Sequence, residues 1–210
     1  MTDELLFRIL FSGLWLVYLA NVIWVSRAAK WSHHQQTPAS LTRLRIVAIL
    51  FGVLYYAGAL LYALVPSWIM FLSIPLPDWF RVGIGCVAIL GMFFTCWGFW
   101  VLGRNWAPCV SGVRKDTVLV TSGPYGYVRH PIYLGAFIFI VALAFVAANL
   151  LVLLPTLVLI VLLYASIGKE ESLLTGRFGD EYREYMKRTP RFIPKFRHMH
   201  PTPQQPKQPS

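Results

Sequence analysis

Charge is scarce in this sequence. Of 210 residues, 57% are hydrophobic and only 13% are charged, against roughly 25% charged in a soluble domain. That deficit excludes an ordinary water-soluble globule and leaves a polytopic membrane protein, one domain being the default at this length. Acids are the scarcest group: nine Asp and Glu stand against 19 Lys and Arg. A net charge of +10 would suit nucleic acid as a partner. The cations lie between apolar runs rather than on one soluble face, so that partner is excluded. Cysteine is also sparse. Cys86, Cys96 and Cys109 are odd in number and none are spaced Cys-x-x-Cys, which argues against a disulfide framework or a zinc site. Cys86 and Cys96 read as small apolar packing residues. No basic leader precedes the first apolar run, which is long enough to span, so no cleavable signal is expected.

Long apolar runs are what the chain has in abundance. A bilayer-spanning helix needs about 20 apolar residues. Residues 5–25, 46–65 and 82–102 each qualify, with Arg8 near enough to an end to snorkel. Residues 132–168 form one apolar block too long for a single span. This predicts a helical hairpin with its tip at Ala147-Ala148-Asn149, and with Pro155 near the start of the returning helix. The fold class expected is therefore all-α: a membrane helical bundle with five transmembrane helices plus short cytosolic-face helices. Residues 1–102 form a three-helix membrane region and 103–196 a core containing the hairpin 132–168. The tail 197–210, rich in Pro, Gln and His, reads as disordered.

Five spans put the termini on opposite sides. Segments 26–45, 103–131 and the tail from Lys169 hold 17 Lys and Arg, whereas the other side holds only Arg8 and Arg81. The bias predicts the N-terminus out and the C-terminus cytoplasmic, in a plasma, inner or endoplasmic-reticulum membrane. Residues 66–81 read as a plain connector. Two motif matches are set aside. Gly83-Ile-Gly85-Cys-Val-Ala88 fits a dinucleotide fingerprint but lies inside a span, where it reads as close helix packing. His33-His34 lacks a third ligand, so no metal site is expected.

Two polar clusters break the apolar pattern. The first is the stretch 122–135, Ser-Gly-Pro-Tyr-Gly-Tyr-Val-Arg-His-Pro-Ile-Tyr-Leu-Gly. Its glycines permit tight backbone geometry, and Pro131 suits the first position of a helix. Arg129 and His130 then sit at a helix N-terminus, where anions are favoured. The second cluster is Lys169-Glu170-Glu171-Ser172, read as the end of the fifth span, where acids oppose the helix dipole. A carboxylate at such a rim is expected to contribute little to bundle packing. Beyond it, Leu173, Leu174, Phe178, Tyr182, Tyr185 and Met186 form an apolar stripe, interrupted at Gly176 and Gly179, with Asp180 capping a short helix. Arg188-Thr189-Pro190-Arg191-Phe192-Ile193-Pro194 reads as an ordered basic turn. A hairpin returns Glu170 and Glu171 to the side of Arg129 and His130. Cations beside carboxylates suit a zwitterionic ligand at the cytosolic rim.

These residues carry a resemblance. Leu119-Val-Thr-Ser-Gly-Pro-Tyr125, then Arg129-His-Pro-x-Tyr133-x-Gly135, Glu170-Glu171, and Phe178-Gly-Asp-Glu-Tyr182-x-x-Tyr185 together resemble the isoprenylcysteine carboxyl methyltransferase family and the related phospholipid N-methyltransferases. The likeness spans residues 103–196. It implies an integral-membrane methyltransferase using S-adenosyl-L-methionine without a Rossmann domain. It implies cofactor contacts from Tyr125, Arg129, His130, Tyr133, the backbone of Leu134 and Gly135, and Glu171, with Glu170 alongside. The Arg104-Asn105-Trp106 turn resembles the family's segment near the methyl acceptor. Arg188 resembles a basic position near the substrate carboxylate, so Arg104 and Arg188 are the catalytic candidates. A lipophilic or prenylated acceptor is then expected to enter from the bilayer and its lipids. Its carboxylate, already ionised, needs a cation but no base. A phospholipid amine or a small thiol stays open as acceptor. Sterol reductases carry a similar Arg-His-Pro-x-Tyr-x-Gly turn and bind a nicotinamide cofactor, but its phosphates would be repelled by Glu170 and Glu171. A non-catalytic membrane scaffold is the third reading.

Overall fold

The computed structural model describes residues 2–28, 39–105 and 118–194. Trp31, His33, His34, Trp106, Cys109 and the tail 197–210 lie outside the described residues, as does the side chain of Arg104. Among the described residues six α-helices follow in order: α1 (Thr2–Ala28), α2 (Ala39–Leu64), α3 (Asp78–Leu102), α4 (Pro131–Ala147), α5 (Leu150–Phe178) and α6 (Asp180–Arg188). No strand occurs among the described residues; a single antiparallel bridge joins Ser73 and Asn149. Helices α1, α2, α3 and α5 are long and apolar enough to cross a membrane. Helix α4 is apolar but has 17 residues, roughly 25 Å of helix against a hydrocarbon core of about 30 Å.

The predicted hairpin tip is where the chain reverses. α4 ends at Ala147, and Ala148 takes a left-handed conformation with φ 48°. Asn149 caps α5, its side-chain oxygen accepting from the Leu151 amide at 2.9 Å. Its amide nitrogen donates to the Ile69 carbonyl at 2.9 Å, and the Ile74 amide donates to the Ala148 carbonyl at 2.7 Å. The connector 66–77 is therefore bonded to the tip rather than being the plain linker expected. Arg81 departs from expectation more sharply. It is buried, donates twice to the Val146 carbonyl (3.0 and 2.8 Å), pairs with Glu4 at 2.7 Å and lies over the Phe7 ring. Arg8 donates to the carbonyls of Tyr62 and Ala63 at the end of α2. These guanidiniums satisfy carbonyls that the last turn of a helix leaves unpaired. They bind α1 to α2, α3 and α4 at the end of the bundle away from Glu171.

Small residues set the closest seam, between α3 and α4. A Cβ on Gly91 would stand 2.7 Å from the Phe139 amide nitrogen, and one on Gly135 would stand 2.6 Å from that of Thr95. Neither approach tolerates a side chain, which is the usual way membrane helices gain contact. Phe139, Ala142, Leu143 and Val146 of α4 pack inward with Phe7, Phe11 and Trp15 of α1 and with Ala88 of α3.

The second polar cluster does not close a helix. α5 continues unbroken past Gly168 and Gly176 to Phe178, so Glu170 and Glu171 lie two turns before its end and the macrodipole argument does not apply to them. The break falls at Gly179, with φ 57°, a conformation that glycine adopts without steric cost. Asp180 is the first residue of α6 and makes no cap bond; it pairs instead with Arg183 at 2.7 Å.

Candidate active site

The first cluster forms a short helical turn, Gly123–Gly126, followed by the four residues Tyr127 to His130 and then α4. Gly123 has φ 59°. Pro131 opens α4, where its missing N–H leaves nothing unpaired. Arg129 and His130 are held by backbone as well: the Arg129 amide donates to the Pro190 carbonyl at 2.9 Å and the His130 amide to that of Arg191 at 3.4 Å. The basic turn after α6 thus lies along the entry to α4.

Glu171 is the hub. Its carboxylate accepts from Arg129 Nε (3.0 Å) and Nη2 (2.8 Å), faces His130 Nε2 at 3.1 Å, and accepts from Arg191 Nε (3.3 Å) and Nη2. The residue is 7% exposed. Arg129 spends further donors on the carbonyls of Met186 and Thr189, capping the end of α6. Hydrogen bonds from charged donors to a carboxylate are among the stronger ones in proteins. The arrangement ties α4, α5 and the segment after α6 together through one carboxylate. A rim carboxylate contributing little to packing is therefore not what Glu171 is.

Glu170 differs. It accepts one hydrogen bond, from the Tyr133 hydroxyl at 2.7 Å, while an ionised carboxylate has about four acceptor sites. Tyr125 is buried; its hydroxyl points to the Gly98 carbonyl at 3.4 Å, and its own carbonyl accepts from the Tyr185 hydroxyl at 2.7 Å. Burial pushes the phenols of Tyr125, Tyr182 and Tyr185 above their ordinary range, so all three remain neutral hydrogen-bonding groups. The Tyr182 hydroxyl is buried with no partner among the described residues.

The remaining candidates separate from this cluster. Leu134 lies in the first turn of α4, its amide donating to the His130 carbonyl at 3.0 Å. Gly135 faces α3 and serves the close seam described above. Asn105 accepts from the Val118 amide at 3.1 Å, closing the ends of segment 106–117. Arg188 is exposed at the end of α6. Among the described residues, hydrogen bonds join the side chains of Arg129, His130 and Glu171 and pair Tyr133 with Glu170, whereas Leu134 and Gly135, also expected to hold a cofactor, serve the start of α4 and the α3 seam.

Arg191 was legible only as part of a basic turn with no assigned partner. A signal was available. In a chain with nine acids, a buried carboxylate must draw on whatever cations lie within reach. Phe192 fixes the same turn, its ring 5.8 Å from Phe137, 6.1 Å from Tyr164 and 6.4 Å from His130.

Fold and site define a helical membrane protein whose polar centre sits at one end of a two-helix hairpin. Residues 83–176 match the model of the Isoprenylcysteine carboxyl methyltransferase (ICMT) family. The match takes in most of α3, which the sequence resemblance did not include. Among curated relatives, Protein-S-isoprenylcysteine O-methyltransferase of Schizosaccharomyces pombe is 37% identical over 107 residues, 50% of this chain and 45% of that protein. Nickel-cobalt-cadmium resistance protein NccN of Alcaligenes xylosoxydans xylosoxydans is 31% identical over 117 residues, 56% of this chain and 53% of that one. Methanethiol S-methyltransferase 1 of Bradyrhizobium diazoefficiens is 45% identical over 73 residues, 33% of this chain and 24% of that one. The chain spans about half the length, or less, of these relatives. The solved structure of the eukaryotic intramembrane Ras methyltransferase ICMT aligns with TM-score 0.50 and 26% identity, covering 79% of this chain and 54% of that one.

Proposed function

We propose that this chain is an integral-membrane methyltransferase that uses S-adenosyl-L-methionine to methylate the carboxylate of an isoprenylcysteine-like or other lipophilic acceptor. One observation carries the reading. Glu170, with spare acceptor capacity, stands beside a carboxylate already saturated by three basic side chains. The donor set therefore fits a cationic group, such as the ammonium of the cofactor's methionine end, at Glu170, while Glu171 keeps the site assembled. The buried neutral phenols of Tyr125 and Tyr182 add hydrogen-bonding surface without charge.

When bound, S-adenosyl-L-methionine supplies an electrophilic methyl group on a sulfonium with a good leaving group. The protein's share is then mainly alignment, which contributes on the order of 7–11 kcal/mol when two reactants are held in line. Glu170 with Tyr133 would hold the donor, and Arg129 and His130 would keep Glu171 in place beside it. Arg104 or Arg188, with Asn105 and Trp106, would orient the acceptor carboxylate, which needs no base at neutral pH. The distribution of Lys and Arg supports five spans, an outer N-terminus and a cytoplasmic site. A lipophilic acceptor would enter from the bilayer and the polar donor from water. A thiol acceptor is the second reading, favoured by the likeness to a methanethiol S-methyltransferase.

The test is calorimetric titration of the full-length protein in detergent with S-adenosylhomocysteine and, in parallel, NADPH. Binding of the first alone supports the reading, after which a farnesylated cysteine and methanethiol are compared as acceptors. Binding of NADPH alone overturns it in favour of a reductase, and binding of neither favours a scaffold.

A further inference from the structure

The two cations first expected to meet a ligand carboxylate are both spent inside the protein. Arg129 is 11% exposed and commits four N–H groups, two to Glu171 and one each to the Met186 and Thr189 carbonyls. His130 is 4% exposed and faces Glu171. Arg191 is different on both counts. Its side chain is 36% exposed, and its hydrogen bonds to Glu171 use Nε and Nη2 only. A guanidinium carries five N–H donors in a planar fork; with two on Glu171 and a further interaction with the Tyr164 side chain, donors still remain for a ligand. Glu171 holds this guanidinium charged and oriented, raising its pKa further. Phe192, wedged against Phe137, Tyr164 and His130, anchors the backbone that carries it.

Resting on the methyl-donor reading, we infer that Arg191 is the residue that recognises the α-carboxylate of the bound cofactor, opposite the ammonium held by Glu170. Glu170 and Glu171 are consecutive on α5, and Arg191 is bonded to the second of them. A carboxylate with spare acceptors and a guanidinium with spare donors thus flank one buried glutamate. That is the complement of an α-amino acid, and a planar fork suits a carboxylate in two-point contact. The turn 189–194 then acts as a wall of the cofactor site, and Glu171 positions Arg191 rather than touching the ligand.

The experiment compares two ligands on full-length protein in detergent: S-adenosylhomocysteine and its decarboxylated analogue, identical except for the missing α-carboxylate. Unaltered protein is expected to prefer the first. Arg191→Gln is expected to weaken S-adenosylhomocysteine on the order of 10- to 100-fold, the range for a charge-assisted hydrogen bond, while leaving the decarboxylated analogue unchanged. Arg191→Lys, which keeps a charge on Glu171 but loses the fork, is expected to fall between and guards against a folding defect in the first variant. Equal weakening of both ligands means a purely structural role and overturns the inference, as does no weakening of either. Failure of the unaltered protein to bind S-adenosylhomocysteine refutes the methyl-donor reading itself, a separate outcome visible before any variant is made.

Discussion

Substituting Glu171 by Gln should loosen the end of the protein that closes the site, and the structure bounds by how much. The change is nearly isosteric but removes the only charge that Arg129, His130 and Arg191 share. Removing one partner of a buried pair costs about 3–5 kcal/mol because the other charge stays buried. Two features reduce that here. Arg129 keeps its bonds to the Met186 and Thr189 carbonyls, and Arg191 already reaches solvent. A cost of about 2–3 kcal/mol is then expected, which raises the opening equilibrium of segment 179–194 on the order of 30- to 150-fold. Hydrogen exchange reads this directly. The Arg183 and Thr189 amides, bonded to the Gly179 and Tyr185 carbonyls, should exchange faster by that factor. Amides of the α3–α4 seam should hold their rate, because Gly91 and Gly135 pack independently of the ion cluster. Unchanged protection at Arg183 and Thr189 would show that the tyrosine contacts alone hold α6, and would refute the hub role of Glu171.

Three further outcomes follow from the same geometry. Glu170→Gln should weaken S-adenosylhomocysteine by about tenfold or more in calorimetry, with hydrogen exchange in α6 unaltered; normal affinity would remove Glu170 from the site. Gly135→Ala should destabilise the bundle by about 1–3 kcal/mol through overpacking against the Thr95 and Gly91 backbones, seen as a lower thermal midpoint in detergent; an unchanged midpoint would mean that the seam adjusts freely. Arg188→Ala should lower turnover with a carboxylate acceptor while leaving cofactor affinity intact, since Arg188 is exposed at the end of α6; equal turnover would exclude it from acceptor binding.

Much of the architecture was legible because it rests on one-dimensional properties. Apolar run length marks the helices, and the tip at Ala147-Ala148-Asn149 is marked by an excess of length over one span plus a capping residue. The meeting of Arg129 and His130 with Glu171 follows from hairpin topology alone. Other features were not readable. Gly176 is a helix breaker by propensity, yet it stays helical, while Gly179 carries the turn. Which glycine yields depends on where the buried faces of Tyr182 and Tyr185 must land. Arg81 sits in a stretch that resembles a connector, and its burial is set by the unpaired carbonyl of Val146, 65 residues away.

The sequence by itself determined that this is an all-helical membrane chain with its two polar clusters at one end of a hairpin, because hydropathy and charge scarcity act along the chain and need no partner. Only the tertiary structure decided how the charges divide their work. Glu170 and Glu171 are neighbours of identical chemistry, and about 100° of helix rotation sends one to Tyr133 and the other to Arg129, His130 and Arg191. Saturation of a carboxylate is a property of the groups that surround it, and those come from three separate parts of the chain.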